Sequence, residues 1–263
     1  MEILKRGSRG EAVVKLQRLL GIGDDGIFGY GTERAVKDFQ RSRGLYPDGI
    51  VGKATWGELL KGITDDSDIS IIDGHINTHI TLALGRKIKW IAIHYTAGST
   101  SKRGTAMATR NVFITRQASA DYIVDDAEIV RINPDVRNYY CWAVGDKLNS
   151  TTGGGRLHGM ATNKNTISIE ICSNLLPNTT AAVPNHGGWY FTDASLNNAL
   201  KLVRYLMREY DIPKENVVRH YDITGKLCPG VINWTDFNIY DTKGKITKEK
   251  GNSKEWLEFW NKI

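Results

Sequence analysis

The sequence predicts an α/β domain, with a mixed central sheet flanked by helices, preceded by a small domain of three short helices. Three observations support this fold class: a repeat built on Asp-Gly turns near the N-terminus, alternating strand and helix patterns after residue 69, and an acidic stretch between the two parts. The 263 residues also exceed the ~100–200 that are typical of one domain. We therefore predict a first domain at 1–62, a solvated linker at 63–68 and a second domain at 69–263.

The first part contains a short internal repeat. Asp-Gly-Ile-Phe-Gly at 25–29 recurs as Asp-Gly-Ile-Val-Gly at 48–52, and a threonine follows each copy, Thr32 and Thr55. Asp-Gly is a turn signal, and we expect the two threonines to be N-caps of helices over 33–40 and 56–60. A further helix is predicted before the repeat by apolar residues at helical spacing, namely Val13, Leu16, Leu19 and Leu20.

The second part alternates strand and helix signals. Buried-strand patterns occur at 89–93, 166–171 and 217–218. A helix is predicted after Thr192 or Asp193 from an apolar stripe that ends before Pro213. That stripe consists of Leu196, Leu200, Val203, Met207 and Tyr210. We expect the domain to be closed by the apolar residues near the C-terminus, Trp256, Leu257, Phe259 and Trp260.

Composition and charge limit the possible partners. The net charge of +6 favours contact with an anionic polymer. The basic residues are scattered and no helix-turn-helix, zinc-finger or RNA-binding signature is present, so we predict no nucleic-acid partner. No apolar stretch reaches the ~20 residues of a membrane span, and no signal-peptide core follows the first five residues. We therefore predict a protein that has no membrane partner and is made in the cytoplasm, so that it needs another release route to act outside the cell. We also predict that it is a monomer.

Two histidines and one cysteine have the residue types of a metal site. His94 and His220 each follow a predicted strand, and Cys228 lies eight residues after His220. Two imidazoles and a thiolate suit Zn²⁺ and leave one tetrahedral position for water. Taken singly, each residue has another interpretation, because histidines at strand ends are often hydrogen-bonded structural residues and a lone cysteine often packs as a small apolar side chain. The odd total of three cysteines argues against a disulfide framework.

Four segments resemble the zinc-dependent N-acetylmuramoyl-L-alanine amidases, a family that includes amidase-type phage endolysins and is related to peptidoglycan-recognition proteins. These segments are Ile-Ala-Ile-His-Tyr-Thr-Ala at 91–97, Ala-Asp-Tyr-Ile-Val at 120–124, Asn-Thr-Ile-Ser-Ile-Glu-Ile at 165–171, and 219–230, from Arg-His to Cys-Pro-Gly. The resemblance spans roughly 69–234 in the family's order. It implies that His94, His220 and Cys228 are zinc ligands, although some members carry Asp in place of Cys228.

The first part resembles the peptidoglycan-binding domain of wall hydrolases. The resemblance lies in the repeat and in 4–10, 14–17 and 35–40. It implies that this domain holds bacterial peptidoglycan, while the second domain uses a zinc-activated water to hydrolyse the amide between N-acetylmuramic acid and the L-alanine of the stem peptide. Two alternatives stay open: a zinc peptidase that cuts stem or cross-bridge peptides, and a non-catalytic recognition protein.

The resemblance also implies roles for three further residues. Glu170 would be a general base, Lys226 would stabilise the developing oxyanion, and His158 would contact the substrate. The alternatives are a salt-bridged or exposed glutamate, a surface lysine and a loop histidine. One departure is Ala143, where many members have a histidine after the tryptophan. We expect the glycine run 153–155 to form a flexible loop beside the cleft.

Overall fold

The computed structural model describes residues 2–60, 69–177, 188–236, 238–240, 246–250 and 252–263, so the predicted linker 63–68 lies outside the described residues. The chain divides into two compact units, 1–68 and 69–263. Within the described ranges, no helix combines the length and the apolar character needed to cross a bilayer.

The first unit contains the three predicted helices. They are α1 (Glu11–Leu20), α2 (Tyr30–Ser42) and α3 (Lys53–Leu60). Each turns an apolar side towards one small core, whose buried members are Leu4, Val13, Leu16, Phe28, Val36, Val51, Trp56 and Leu59. The helical stripe predicted before the repeat therefore corresponds to α1.

Each copy of the repeat is held by a buried glutamine amide. The Nε2 atom of Gln17 donates to Oδ1 of Asp25 at 2.7 Å, to the carbonyl of Ile27 at 3.1 Å and to Oγ1 of Thr32 at 3.0 Å. The amide of Gln40 donates to the equivalent acceptors of the second copy, namely Asp48, Ile50 and Thr55. The two turns are thus built in the same way.

The prediction that the repeat threonines cap the helices is wrong. Helix α2 begins at Tyr30 and α3 begins at Lys53, so Thr32 and Thr55 lie inside the first turns. Their hydroxyls accept from the glutamine amides and donate to the carbonyls of Ile27 and Ile50. Because these bonds already use the hydroxyls, the threonines join each turn to its helix instead of capping the helix end.

The second unit contains twelve strands and four α-helices in its described part. The strands are β1 (Ile72–Asp73), β2 (Ile80–Leu82), β3 (Trp90–Tyr95), β4 (Tyr122–Val124), β5 (Ile129–Arg131), β6 (Tyr139–Cys141), β7 (Thr166–Ile171), β8 (Asn174–Leu175), β9 (Trp189–Tyr190), β10 (Val217–Arg219), β11 (Asn238–Tyr240) and β12 (Ile246–Lys250). The helices are α4 (Thr105–Thr115), α5 (Asp193–Tyr210), α6 (His220–Thr224) and α7 (Lys254–Asn261).

Six strands form a mixed central sheet in the order β1-β5-β4-β7-β3-β10. All neighbouring pairs are parallel except β4 with β5. Helix α5 packs on one face through Leu202, Val203 and Leu206, and α4 packs on the other through Ala106 and Phe113. The mixed sheet with flanking helices is the predicted fold class, and α5 begins after Thr192, whose hydroxyl accepts from the Ser195 amide as an N-cap.

The C-terminal helix α7 covers one edge of this core. Trp256 and Phe259 are buried against Trp234, with ring centroids 5.6 and 5.3 Å away. Leu257, which the sequence also placed in this contact, is 50% exposed. Helical geometry explains the difference, because Leu257 follows Trp256 by one residue and therefore points away from the buried stripe.

Candidate metal centre

Three side chains from distant parts of the sequence converge in the second unit. His94, His220 and Cys228 are all buried, and each offers a ligand atom that lies within 4.8 Å of the other two. The imidazole centroids of the two histidines are 4.6 Å apart. The structure therefore brings together the three residues that the sequence proposed as ligands.

The sheet register explains this convergence. Val218 and Arg219 of β10 pair with Ala92 and Ile93 of β3, so His94 and His220, the next residues of each segment, are neighbours. Side chains alternate between the two faces of a strand. Ile91, Ile93 and Tyr95 belong to the core on the α5 side, which places His94 on the opposite face.

A hydrogen bond at Nε2 of His220 leaves Nδ1 of the same ring free to bind a metal. Nε2 lies 2.7 Å from the carbonyl oxygen of Val144, which can only accept, so Nε2 carries the proton and donates it. Nδ1 therefore has a free lone pair, and it is buried without a hydrogen-bond partner among the described residues. Burial lowers the pKa of His220 to about 4, so the ring is neutral at pH 7. Such a second hydrogen bond is what orients most histidine ligands.

His94 and Cys228 complete the donor set. Nδ1 of His94 lies 3.7 Å from Sγ of Cys228, and Nε2 of His94 is buried without a partner in the described part of the chain. Tetrahedral zinc with bonds of ~2.0–2.1 Å to nitrogen and ~2.3 Å to sulfur would separate those two atoms by about 3.6 Å. Burial, followed by the charges of His220 and Lys226, lowers the pKa of His94 well below its usual value. The residues present thus fit a zinc ion.

The Cys228 thiol is not reactive by itself. Burial, followed by the nearby Glu170 carboxylate, raises its pKa to about 12. A thiol in such surroundings stays protonated at pH 7 unless a cation stabilises the thiolate. Because a buried thiolate next to two neutral imidazoles needs a positive charge, this donor set favours a metal ion over a free catalytic cysteine.

A buried ion pair fixes the segment that carries His220. Arg219 donates from Nε and Nη2 to the two carboxylate oxygens of Asp222, at 2.9 and 2.8 Å. Its Nη1 donates to the carbonyl of Trp234 and to the hydroxyl of Ser253, both at 2.7 Å. Bidentate pairs of this kind are directional as well as strong. This pair was not among the predicted site residues, although its i, i+3 spacing beside His220 is a recognisable signal.

Glu170 lies beside the three candidate ligands. Its Cα pairs with that of His94 across β7 and β3, so the two side chains share a face of the sheet. The residue as a whole is half-buried, yet its Oε2 has no solvent access and no partner among the described residues. Burial raises the pKa of Glu170 to about 8, although the charges of Lys226 and Arg116 act to lower it. Within the described residues no salt bridge involves this carboxylate, so it is available to take a proton.

Lys226 is exposed at the mouth of the site. Together with His220 it lines a cavity of about 780 Å³. Its ammonium charge acts on His94, Glu170, His220 and Cys228. Lys226 is therefore close enough to influence charge that develops there.

His158 lies in a neighbouring cavity and not among the candidate ligands. It is exposed, and its Nε2 lies 2.6 Å from the carbonyl oxygen of Asp146. The cavity it lines measures about 720 Å³ and shares Trp142 with the cavity beside the metal centre. The predicted contact between His158 and a substrate stays a prediction.

The glycine run 153–155 lies in a loop that packs against Tyr221, and the predicted flexibility of this loop stays a prediction. The amide of Gly155 donates to the carbonyl of Tyr221 at 2.9 Å. A Cβ at Gly154 would lie 2.5 Å from the same carbonyl oxygen, so only glycine fits there without displacement. The run therefore supports α6, the helix that begins at His220.

These features define a class: an α/β protein with a buried His-His-Cys donor set suited to a metal ion, next to a partly buried glutamate. Comparison with known proteins makes the class specific. The family described as N-acetylmuramoyl-L-alanine amidase matches residues 84–231, and the one described as putative peptidoglycan binding domain matches residues 9–59. The chain belongs to the N-acetylmuramoyl-L-alanine amidase family.

Individual relatives match parts of the chain. N-acetylmuramoyl-L-alanine amidase CwlA of Bacillus sp is 33% identical over 151 residues, which are 53% of this chain and 51% of the relative. Zinc D-Ala-D-Ala carboxypeptidase of Streptomyces albus G is 42% identical over 71 residues, 24% of this chain and 28% of that protein. A solved structure titled "Structure of PlyL" is 27% identical and covers 61% of this chain and 87% of its own, with a TM-score of 0.43. The chain spans about half the length, or less, of the curated relatives it matches.

Proposed function

We propose that this protein is a zinc-dependent N-acetylmuramoyl-L-alanine amidase that hydrolyses the amide between N-acetylmuramic acid and the L-alanine of the stem peptide. The observation that carries the proposal is the buried donor set of His94, His220 and Cys228, with Nδ1 of His220 free of any described partner. A bound zinc ion would supply Lewis-acid polarisation of the amide carbonyl and would lower the pKa of water to ~7.

Glu170 is the proposed general base. Its carboxylate lies beside His94, and its unpartnered Oε2 can take the proton of the attacking water and pass it to the leaving amine. Burial favours the protonated acid, and the charge of Lys226 favours the carboxylate. The two opposing effects suit a group that both accepts and gives a proton.

Lys226 and His158 are the proposed substrate contacts. The ammonium of Lys226 would stabilise the oxyanion that forms when the carbonyl is attacked, an effect of ~3 kcal/mol for one well-placed donor. His158 would hold part of the substrate in the adjoining cavity. Its ring is oriented for this by the bond to the Asp146 carbonyl.

Residues 1–62, within the first unit, are the proposed wall anchor. A domain that binds the polymer keeps the catalytic domain near scissile bonds and raises the effective concentration of substrate. We propose that the protein works as a monomer, since one chain supplies all three ligands and the base. A zinc peptidase is the second candidate function. The match to the amidase family over residues 84–231 favours the amidase instead, because it includes every proposed ligand.

The products of digestion test the proposal directly. We expect the purified protein to release stem peptides that begin with L-alanine, without new reducing sugar ends, because attack at the amide carbonyl leaves the glycan intact. Mass spectrometry of the soluble fragments and a reducing-end assay give the two measurements. New reducing ends, or cuts only between amino acids of the stem, would exclude an amidase.

Separating the two parts tests the proposed division of labour. We expect residues 1–62 to fold alone and to sediment with insoluble peptidoglycan, and residues 69–263 to retain cleavage of small soluble muropeptides. Circular dichroism establishes folding, co-sedimentation measures binding, and chromatography measures cleavage. A folded first domain that stays in the supernatant would be a spacer and not an anchor.

A further inference from the structure

The short segment 143–146 lies against the candidate ligand His220. Nε2 of His220 donates to the carbonyl oxygen of Val144 in this segment, at 2.7 Å. Nδ1 of the same ring is buried and has no hydrogen-bond partner among the described residues, so it is the atom left for a metal. The orientation of the His220 ring therefore depends on the direction in which the Val144 carbonyl points.

The side chain of Asn163 holds this segment from the other side. Its Oδ1 accepts from the amide of Val144 at 2.8 Å and from the amide of Ala143 at 3.2 Å. In the described part of the chain, neither amide takes part in a backbone–backbone hydrogen bond. Two consecutive amides that converge on one oxygen fix the two peptide planes before the Cα of Val144, because hydrogen bonds are directional. The Val144 carbonyl belongs to the next plane along the chain.

Packing fixes the position of Val144 but not the direction of its carbonyl. The side chain is 3% exposed and belongs to a small core with Val218 of β10 and Ile223 of α6, which lie on either side of His220 in the sequence. Apolar packing has no preferred direction. The hydrogen bonds to Asn163 supply the direction that this packing lacks.

Asn163 is itself attached to the central sheet. It begins the short turn Asn163–Asn165, in which Oδ1 of Asn165 accepts from the amide of Thr162 at 2.8 Å. Strand β7 begins at the next residue and carries Glu170. Asn163 therefore joins the segment that contacts His220 to the strand that carries the proposed base.

We propose that Asn163 is a positioning residue of the metal centre, which acts through Val144 to hold the His220 ring with Nδ1 free for the metal. This inference rests on the proposed function, because it assumes that His220 binds zinc. Asn163 acts here without touching the metal or the substrate. Zinc affinity should consequently depend on whether residue 163 offers an acceptor oxygen at the position of Oδ1.

The test measures zinc affinity of the full chain, first stripped of metal, by competition with a chromogenic chelator. Asn163→Leu keeps most of the volume and removes the acceptor, and we expect it to raise the Kd for zinc about 3- to 10-fold. This is less than the ~10- to 100-fold that follows from loss of a direct partner of a metal ligand. Asn163→Asp keeps an acceptor oxygen for both amides and should stay within about 2-fold of the wild type.

Asn138→Leu is the matched control. Asn138 is also partly buried, and its Oδ1 accepts from the amide of Gly85 at 2.9 Å. Among the described residues, no hydrogen bond joins Gly85 to a candidate ligand. Asn138→Leu therefore removes the same kind of bond at another loop, and the Kd for zinc should stay within about 2-fold of the wild type.

The Nε2 proton of His220 gives a second measurement that needs neither metal nor substrate. In metal-free protein we expect nuclear magnetic resonance to show this proton exchanging slowly with water in the wild type, Asn163→Asp and Asn138→Leu, and at least about 10-fold faster in Asn163→Leu, since the bond to Val144 is then held less firmly. A role of Asn163 in loop stability alone would leave this exchange unchanged. If circular dichroism shows that Asn163→Leu does not fold, Asn163→Ser replaces it, because the serine hydroxyl lies one bond nearer to the backbone than Oδ1.

The outcomes separate this inference from the proposed function. A folded Asn163→Leu with wild-type zinc affinity, or an equal loss of affinity in Asn163→Asp or Asn138→Leu, would overturn the positioning role while amide cleavage continues in the wild type. If the wild type binds no zinc and releases no peptides that begin with L-alanine, the proposed function itself has failed. The exchange of the His220 proton in metal-free protein then still decides whether Asn163 holds the ring.

Discussion

Replacing Glu170 with glutamine is expected to lower kcat by at least ~10²-fold, the scale of a general-base contribution, while zinc content and wall binding stay normal. Glutamine keeps the shape of the side chain but cannot accept the proton of the attacking water. Oε2 of Glu170 has no hydrogen-bond partner among the described residues, so the structural cost of the change should be small. Initial rates on soluble muropeptides, with zinc measured by elemental analysis on the same samples, give the result.

A control at another glutamate makes this result specific. Glu215 is exposed and lies in the short turn Lys214–Asn216 that precedes β10. It is not one of the proposed site residues, so Glu215→Gln should leave the rate unchanged. If Glu170→Gln retains activity within a few-fold of the wild type, with full zinc and native circular dichroism, Glu170 has a structural role only.

The pH profile of the rate adds a second measurement. A base must be deprotonated to act, so activity should fall as pH drops through the pKa of Glu170 in the wild type, and Glu170→Gln should lack that limb.

Much of the fold follows from periodicity that the sequence displays openly. The strand at 166–171 alternates isoleucines with smaller polar residues, and β7 has those bounds with Ile167, Ile169 and Ile171 in the α5 core. Helix α5 begins after its threonine cap, and of the predicted apolar stripe Leu200 and Val203 are buried. The other members, Leu196, Met207 and Tyr210, are partly buried against the same core. Both segments are long and strongly patterned, so local preference and tertiary packing agree.

Features that depend on contacts between distant segments could not be predicted in this way. Thr32 and Thr55 look like caps because they follow glycine turns, but buried glutamine amides 15 residues earlier use their hydroxyls. The run 153–155 looks flexible because it is glycine, yet Gly154 is required by close approach to Tyr221. Glycine allows mobility and close packing equally, and only the fold decides between them.

The candidate site shows the same difference between features that the sequence can indicate and features that depend on the fold. Its three candidate ligands have residue types that sequence alone can suggest, and two of them, His94 and His220, also lie at the ends of predicted strands. The Val144 carbonyl that fixes the protonation of His220 comes from backbone geometry that no side-chain type signals. Sequence motifs therefore report the donor atoms of a site well and its surroundings poorly.

The third ligand is the residue on which metal binding should depend most. As a zinc ligand Cys228 would have to be a thiolate, and burial raises the pKa of its thiol to about 12 in the absence of a metal. Metal binding must therefore release a proton, so zinc affinity should rise with pH. Both histidine rings are already neutral at pH 7, since burial lowers the pKa of His220 to about 4 and that of His94 well below its usual value. The cysteine is thus the ligand that couples zinc affinity to pH near neutrality.

Removing that ligand should remove the metal and the activity. In Cys228→Ala only His94 and His220 are left of the described donor set, and two neutral imidazoles hold zinc weakly. We expect zinc to fall well below one per chain after dialysis and activity to vanish, even when circular dichroism stays native. Elemental analysis together with turbidity clearing of wall suspensions decides this. Full zinc occupancy in Cys228→Ala would show that the third ligand has been misassigned.

A carboxylate at the same position should restore part of what alanine loses. The aspartate of Cys228→Asp offers an oxygen ligand that bonds zinc at ~2.0–2.2 Å, against ~2.3 Å for sulfur, and this oxygen lies one bond further from Cβ than Sγ does, so the segment must adjust its position. The amide of Cys228 donates to the Lys226 carbonyl at 2.7 Å, and the amide of Tyr221 donates to the Cys228 carbonyl at 2.9 Å. These bonds limit the shift, and we therefore expect Cys228→Asp to retain metal and activity at a level between those of Cys228→Ala and the wild type. If Cys228→Asp is as empty of zinc as Cys228→Ala, the backbone is too rigid to place the carboxylate correctly and sulfur is essential at this position.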